Sequence, residues 1–286
     1  MSASSTSVHP VQLAGGLRDL AAQFDVFILD QFGVLHDGTA PYPGAVEALS
    51  KLKAAGKRSL LLSNSGKRSA PNEARLEKLG FVPGSWDHFL SSGEFAWRSL
   101  QNSLRDRPGL RCLLVARDGD RSAVDGLPLV LTERGEDADI VLLSASEGDL
   151  YDLDHYRQLL GPTAARGVEC LCTNPDKIML TAGGPRFGAG RIADLYAEMG
   201  GPVTWIGKPF PDIYAAALAM LGNPDPARVV CVGDSIEHDI AGGGGVGLAT
   251  ALVTTGVLET ASAGDRETLY VRHGARPDFL LQRFAW

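Results

Sequence analysis

Four apolar segments, each running directly into a polar loop, constrain the fold of this 286-residue chain most strongly. A short apolar run bounded by turn-forming residues is typical of a buried strand in a parallel sheet. Parallel sheets bind their ligands beyond the carboxyl ends of the strands, where these polar loops begin. The segments therefore predict an α/β fold with a doubly wound, mostly parallel sheet. In chain order they are 27–30, 60–66, 205–209 and 229–239.

The spacing of these segments predicts two domains. Between Ser63 and Lys208 the chain is far longer than one crossover requires, and it contains further strand-like runs at 111–115, 139–143 and 168–172, with a helical stretch at 150–160. We expect an α/β cap over 105–201, inserted between core parts 1–104 and 202–286, with 1–10 as a mobile tail. The predicted core strands are 26–29, 59–62, 203–206, 229–232, 250–253 and a short last strand near Phe279.

Composition limits the partners. The net charge of −7 argues against a broad surface for nucleic acid or an anionic membrane, and no stretch approaches the length of a membrane span. Four scattered cysteines do not form a disulfide framework, and the N-terminal segment lacks the features of a signal peptide. We expect a reduced, cytoplasmic enzyme with a small-molecule partner.

Three carboxylates follow predicted strands. Asp30 ends the first apolar run, and Asp234 and Asp239 lie five residues apart after the last one. An aspartate at a strand end is commonly a cap or turn former. Three such groups at one sheet edge would instead repel one another and bind a hard, oxygen-preferring ion such as Mg²⁺.

The second segment offers groups that bind phosphate. A hydroxyl and successive backbone N–H groups at a strand-to-helix turn can cradle phosphate oxygens, although the same residues also make an ordinary turn. Lys208 taken alone would be an unremarkable surface lysine. The residues of this turn are Ser63, Asn64, Ser65 and Gly66.

The ordered set of four segments resembles the signatures of the haloacid dehalogenase (HAD) superfamily, over about 25–277. The resemblance implies a phosphohydrolase in which Asp30 is the nucleophile and forms an aspartyl-phosphate. It places the metal on Asp30, the backbone carbonyl of Phe32 and Asp234, with Asp239 acting directly or through water. It assigns Ser63 and Lys208 to the phosphoryl group, with Lys208 neutralising charge.

The chain departs from this pattern at Phe32. Most phosphatases of the superfamily have an aspartate two residues after the nucleophile, which protonates the leaving alcohol and then activates water. Acid–base help of this kind contributes roughly 10²- to 10⁴-fold to the rate. His36 has a suitable unperturbed pKa to stand in, but its residue type is the only support. Asp37, before Gly38, is expected to be a turn residue.

The insert, with Asn174 and Asp176 in an Asn-Pro-Asp segment, resembles class IIA of the superfamily. That class includes the NagD nucleotidases and pyridoxal phosphate phosphatases. The resemblance places Asn174 and Asp176 near the substrate, whereas Asn-Pro-Asp is equally a good turn. A homodimer formed through the cap is a further expectation.

Three functions remain open. The first is a Mg²⁺-dependent phosphohydrolase acting on a small phosphate ester. The second is a phosphometabolite-binding protein with little or no turnover, because Phe32 cannot act as an acid. The third, halide displacement, has no need of Asp234 and Asp239 and ranks last.

Overall fold

The computed structural model describes residues 10–105, 107–181 and 183–286. The predicted mobile tail lies outside the described residues except for Pro10. The strands, in chain order, are β1 Gln12–Leu13, β2 Val26–Leu29, β3 Arg58–Ser63, β4 His88–Ser91, β5 Leu110–Val115, β6 Leu129–Thr132, β7 Ile140–Leu143, β8 Cys170–Cys172, β9 Ile178–Thr181, β10 Gly184–Phe187, β11 Val203–Trp205, β12 Val229–Gly233, β13 Ala249–Val253 and β14 Phe279–Leu281.

The helices alternate with these strands. They are α1 Leu17–Ala21, α2 Ala45–Ala54, α3 Ser69–Lys78, α4 Ser92–Ser103, α5 Leu153–Ala165, α6 Ala189–Glu198, α7 Pro211–Met220, α8 Ala241–Gly245 and α9 Ala263–His273. A π-helical turn, Ile236–Ile240, leads into α8. None of the described helices combines the length and the apolar character that a membrane crossing requires.

The chain forms two compact units. The first contains the residues up to Leu61, Glu77–His88 and Ala217–Trp286, and the second contains Leu62–Leu76 and Phe89–Ala216. The second unit is wider than the predicted cap, so the boundaries 105–201 stay a prediction.

A seven-stranded sheet has the order β1-β14-β13-β12-β2-β3-β4. Neighbouring strands of this sheet pair in parallel from β1, at one edge, across to β3. All four residues of β2 are buried, as the apolar run predicts for a central strand. Because β12 pairs with β2, with Val232 opposite Leu29, the carboxyl ends of these two strands lie side by side.

A five-stranded sheet has the order β11-β8-β7-β5-β6, and all its pairings are parallel. Helices α5 and α6 contribute Tyr156, Leu160, Ile192 and Tyr196 to a buried cluster with residues of β7 and β8. The strands β9 and β10 form a separate antiparallel hairpin. The fold class is therefore as predicted, an α/β fold with mostly parallel sheets.

One strand was assigned to the wrong sheet. The segment 203–206 was predicted to join the core sheet, but Val203–Trp205 pairs with Cys170–Cys172 at the edge of the five-stranded sheet. An apolar run predicts a strand without specifying its partner, since pairing depends on contacts distant in sequence. Lys208 accordingly follows a strand of the five-stranded sheet.

Candidate active site

The first unit brings the three predicted carboxylates together. Asp30 directly follows β2, and its N–H donates to the carbonyl of Val232 in β12 (2.9 Å). Asp234 is the first residue after β12, and Asp239 follows in the π-helical turn. One oxygen from each of the three carboxylates lies within 4.8 Å of the others. Strand pairing thus produces a cluster that could hold a divalent metal ion.

Asp239 is fixed by the turn that carries it. Ser235 N–H donates to Asp239 Oδ2 (3.1 Å), and Ser235 Oγ accepts from His238 N–H (3.2 Å). A Cβ at position 233 would lie 2.0 Å from Asp239 Cγ, so only glycine fits there. Asp234 and Asp239 are each 4% exposed. Buried carboxylates so close together require a cation or protonation, and their oxygens suit Mg²⁺ or Ca²⁺.

Asp234 also contacts a turn that the sequence did not single out. The N–H of Val257, in the turn Gly256–Leu258 after β13, donates to Asp234 Oδ2 (2.8 Å). The Thr-Thr-Gly-Val segment that follows a predicted strand was the only available signal. Because the contact is made by backbone, side-chain chemistry could not have identified it.

The loop after Asp30 folds tightly on itself. Leu35 N–H donates to Gln31 O (2.8 Å), and Gly33 N–H donates to His36 O (2.9 Å). Phe32 is 36% exposed, and its ring meets that of His36 edge-on, with 5.5 Å between the ring centroids. This packing gives Phe32 a structural contact and supplies no proton donor. The metal-binding role of its carbonyl stays a prediction.

His36 and Asp37 form the hairpin that follows. His36 is fully buried, and its Nδ1 accepts from Gly38 N–H (2.9 Å), a bond that protonation of Nδ1 would break. Asp37 Oδ1 accepts from both Thr39 N–H and Thr39 Oγ1 and from Ala40 N–H. These hydrogen bonds, led by that from Ala40, lower the pKa of Asp37 to about 2. These contacts make Asp37 a turn residue, as predicted, and favour a structural role for His36.

In the second unit, the side chain of Asn64 pairs with the backbone of Lys208. Asn64 Oδ1 accepts from Lys208 N–H (2.7 Å), and Asn64 Nδ2 donates to Lys208 O (3.1 Å). Ser63, Asn64 and Lys208 are 4%, 5% and 3% exposed. The sequence predicted Asn64 only through its backbone N–H, whereas the structure gives its side chain a role in positioning the lysine loop.

The rest of the predicted phosphate turn is tightly packed. Ser65 N–H donates to Ser63 Oγ (3.1 Å), so this N–H serves the turn itself. A Cβ at Gly66 would lie 1.9 Å from Ser144 O. The structure places Ser65 and Gly66 beside Ser63 and Asn64, and their role in phosphate binding stays a prediction.

Asn174 and Asp176 form a turn, and Asp176 also contacts the phosphate-binding segment predicted from the sequence. Asp176 N–H donates to Asn174 Oδ1 (3.2 Å), which is a turn contact. Asp176 Oδ1 also accepts from Asn64 Nδ2 (2.8 Å), which links it to the loop that follows β3. Asn64 therefore connects the loops after β3, β8 and β11.

Comparison with known families assigns the chain. The model described as haloacid dehalogenase-like hydrolase matches residues 27–129, and a HAD-hydrolase-like model matches residues 205–285. Together they cover more than half of the chain. It belongs to the HAD-like hydrolases. The predicted superfamily is thus confirmed, and this HAD protein is an enzyme of the hydrolase class.

Its relatives support class IIA, and several of them are named as phosphatases. This HAD protein is 30% identical to chronophin of Mus musculus, over 86% of this chain and 87% of the relative. It is 29% identical to a glycerol-3-phosphate phosphatase of Gallus gallus, over 94% and 92%. A glycerol phosphate phosphatase structure from Mycobacterium tuberculosis, in complex with magnesium, matches with a TM-score of 0.71 at 27% identity, over 91% of this chain and 76% of that one.

Proposed function

We propose that this protein is a Mg²⁺-dependent phosphohydrolase that cleaves a small phosphate ester through an aspartyl-phosphate at Asp30. The observation that carries the proposal is the cluster of Asp30, Asp234 and Asp239 at the carboxyl ends of β2 and β12. The relatives named as glycerol phosphate phosphatases support the reaction class. The magnesium in the related structure supports the identity of the ion.

The proposed reaction has two displacements at phosphorus. A carboxylate oxygen of Asp30 forms a bond to phosphorus as the bond to the ester oxygen breaks, and the departing alkoxide takes a proton from water to leave as the alcohol. Water then displaces the Asp30 carboxylate and releases inorganic phosphate. A bound Mg²⁺ ion, held by Asp30, Phe32 O, Asp234 and Asp239, would reduce the repulsion between the carboxylate and the phosphate dianion.

Ser63, Asn64, Ser65, Gly66 and Lys208 are proposed to bind the phosphoryl oxygens. The Ser63 hydroxyl, the ammonium group and the turn N–H groups other than that of Ser65 are donors suited to a transferring phosphoryl group. The pairing of Asn64 with the Lys208 backbone supports this assignment, because it restricts the lysine loop.

Substrate choice is proposed to reside in the cap, 105–201, with Asn174 and Asp176 as candidate contacts. The relatives named for glycerol phosphates make small organic phosphates the first substrates to examine. We also propose a cytoplasmic location and a homodimer formed through the cap.

A second candidate function is phosphometabolite binding with little turnover. It is favoured by Phe32, whose ring packs against His36. The resemblance predicts an acid at this position in most phosphatases of the superfamily. Without acid or base help the rate could fall by roughly 10²- to 10⁴-fold.

The test is a panel of phosphate esters assayed in Mg²⁺ and in EDTA. It includes glycerol 3-phosphate, pyridoxal 5′-phosphate, a nucleoside monophosphate and 4-nitrophenyl phosphate. The proposal expects Mg²⁺-dependent release of phosphate that is lost in Asp30→Asn. Calorimetric binding of one ester without release would support the second function. Release unaffected by EDTA would contradict the proposed metal requirement.

A further inference from the structure

The turn after β13 contacts the metal cluster without contributing a carboxylate. Val257 N–H donates to Asp234 Oδ2 (2.8 Å), although the Val257 side chain is 61% exposed. A hydrogen bond to an ionised carboxylate is stronger than one between neutral groups. A bond to one oxygen also fixes the orientation of the other. The backbone of this turn therefore orients the second oxygen of the Asp234 carboxylate, which could bind a metal ion.

Two glycines flank the same carboxylate. A Cβ at Gly33 or at Gly256 would each lie 2.0 Å from Asp234 Oδ2, and the one at Gly256 would also lie 2.6 Å from Gly33 Cα. Both glycines have positive φ, 87° and 67° respectively. The Asp234 carboxylate thus fits against two stretches of backbone with no space for a side chain.

A third contact joins the turn to the loop of the nucleophile. Thr255 Oγ1 donates to Gly33 O (2.6 Å), and Gly33 is three residues after Asp30. The turn can reach both partners because β13, which it follows, pairs with β12, the strand that ends before Asp234. One turn therefore holds an Asp234 oxygen and the loop that begins at Asp30.

We propose that the turn formed by Thr255, Gly256 and Val257 positions the metal site, with Thr255 orienting the nucleophile loop and Gly256 and Val257 orienting Asp234. This inference rests on the proposed function for the identity of the ion. Thr255 is a positioning residue, because it acts through Gly33 and the loop that begins at Asp30. Removal of the Thr255 hydroxyl weakens metal binding, because the ligands then sample orientations that do not bind the ion.

Calorimetric titration of the full-length protein with Mg²⁺ tests this inference without measuring catalysis. Thr255→Val removes the hydroxyl and is expected to weaken Mg²⁺ binding by roughly three- to tenfold, the value of one hydrogen bond. Thr255→Ser is expected to restore the affinity. Thr254→Val is the matched control, since the Thr254 hydroxyl donates to Gln282 O and not to the nucleophile loop.

A second pair of variants separates the contact from backbone strain. Gly256→Ala is expected to weaken Mg²⁺ binding more than Thr255→Val, because its Cβ meets Asp234. Gly274→Ala is the control, since Gly274 has a similar φ of 60° with nothing near its Cβ. If Thr255→Val and Gly256→Ala bind Mg²⁺ as tightly as their controls, this inference is overturned and the proposed function is not. Absence of Mg²⁺ binding in the unmodified protein would overturn the metal proposal as well.

Discussion

At the scale of single residues, the position two after Asp30 holds phenylalanine, where the resemblance to HAD phosphatases predicts an acid. Phe32 packs edge-on against His36, and His36 Nδ1 already accepts from Gly38 N–H. Neither contact supplies an acid to the leaving group. The rate at which Asp30 displaces the alcohol should therefore depend on the pKa of that alcohol.

We predict a steep dependence of Asp30 phosphorylation on the pKa of the leaving alcohol. A 4-nitrophenolate leaves without a proton, whereas an alkoxide does not. Phe32→Asp should accelerate turnover of alkyl phosphates by up to roughly 10²- to 10⁴-fold and affect 4-nitrophenyl phosphate much less. Single-turnover kinetics over esters of graded pKa measure this. A shallow dependence in the unmodified protein would mean that another acid acts.

The pH dependence of stability provides a second prediction at this scale. Hydrogen bonds from Ala40 and Thr39 lower the pKa of Asp37 from 3.8 to about 2 in the folded protein. A lowered pKa stabilises the fold above pH 4, and this contribution is lost as the pH falls through about 2. Asp37→Asn should therefore lower the free energy of unfolding at pH 7, by under about 1 kcal/mol because the group is exposed. Denaturation at a series of pH values measures the effect, and an effect of equal size at pH 2 would contradict it.

At the scale of elements, the strands bring the loops of the site close together. Hydrogen bonds between these loops then fix their geometry. Asn64 connects Lys208 to Asp176 across the loops that follow three strands. The reciprocal pair of hydrogen bonds makes this amide difficult to replace. Its loss should therefore be visible in stability as well as in catalysis.

Exchanging the amide and the carboxylate between positions 64 and 176 tests the hydrogen bond between Asn64 and Asp176. Asn64→Asp keeps an acceptor for Lys208 N–H but places two carboxylates together, so we expect it to lower the free energy of unfolding by about 1–3 kcal/mol. Adding Asp176→Asn should recover part of the loss, because the amide introduced at position 176 could then donate to the carboxylate introduced at position 64. Urea denaturation of both single variants and the double variant measures the coupling. A double variant no more stable than Asn64→Asp would contradict the proposed contact.

Strand-end residues could be predicted because a short continuous apolar run indicates a buried strand, and parallel strands expose their carboxyl ends at one edge. Asp30, Asp234 and Asp239 lie together as expected for this reason, and their roles stay predictions. Thr255 and Gly256 were not predicted, because their contacts involve backbone atoms of a distant loop. β1 was missed because it is two residues long with Leu13 82% exposed. The hairpin of β9 and β10 was missed because Ile178 is 67% exposed and Gly184-Pro185 is no strand signal.

At the scale of the whole molecule, the metal cluster and the turn that supports it lie entirely in the first unit. The five-stranded sheet contributes no residue to that cluster. Metal binding and substrate selection should therefore be separable.

We predict that deletion of 110–205, replaced by a short linker, leaves a core that still binds Mg²⁺. The deletion removes the five-stranded sheet whole, including β11, and leaves all strands of the seven-stranded sheet. The remaining protein should discriminate poorly among phosphate esters. Calorimetry with Mg²⁺ and the ester panel measure both properties. An unchanged ranking of substrates would show that selectivity resides outside the deleted segment.

The phosphorylation of Asp30 tests the central claim most directly. The full-length protein is mixed with 4-nitrophenyl phosphate and Mg²⁺, quenched in acid within one turnover, digested and analysed by mass spectrometry. We predict that the peptide containing Asp30 carries one phosphoryl group on that residue, that the modification accumulates because Phe32 cannot activate water, and that EDTA or Asp30→Asn abolishes it. Release of 4-nitrophenolate with the phosphoryl group on another residue, or with no phosphorylated peptide at any quench time, would contradict the assignment of Asp30 as nucleophile.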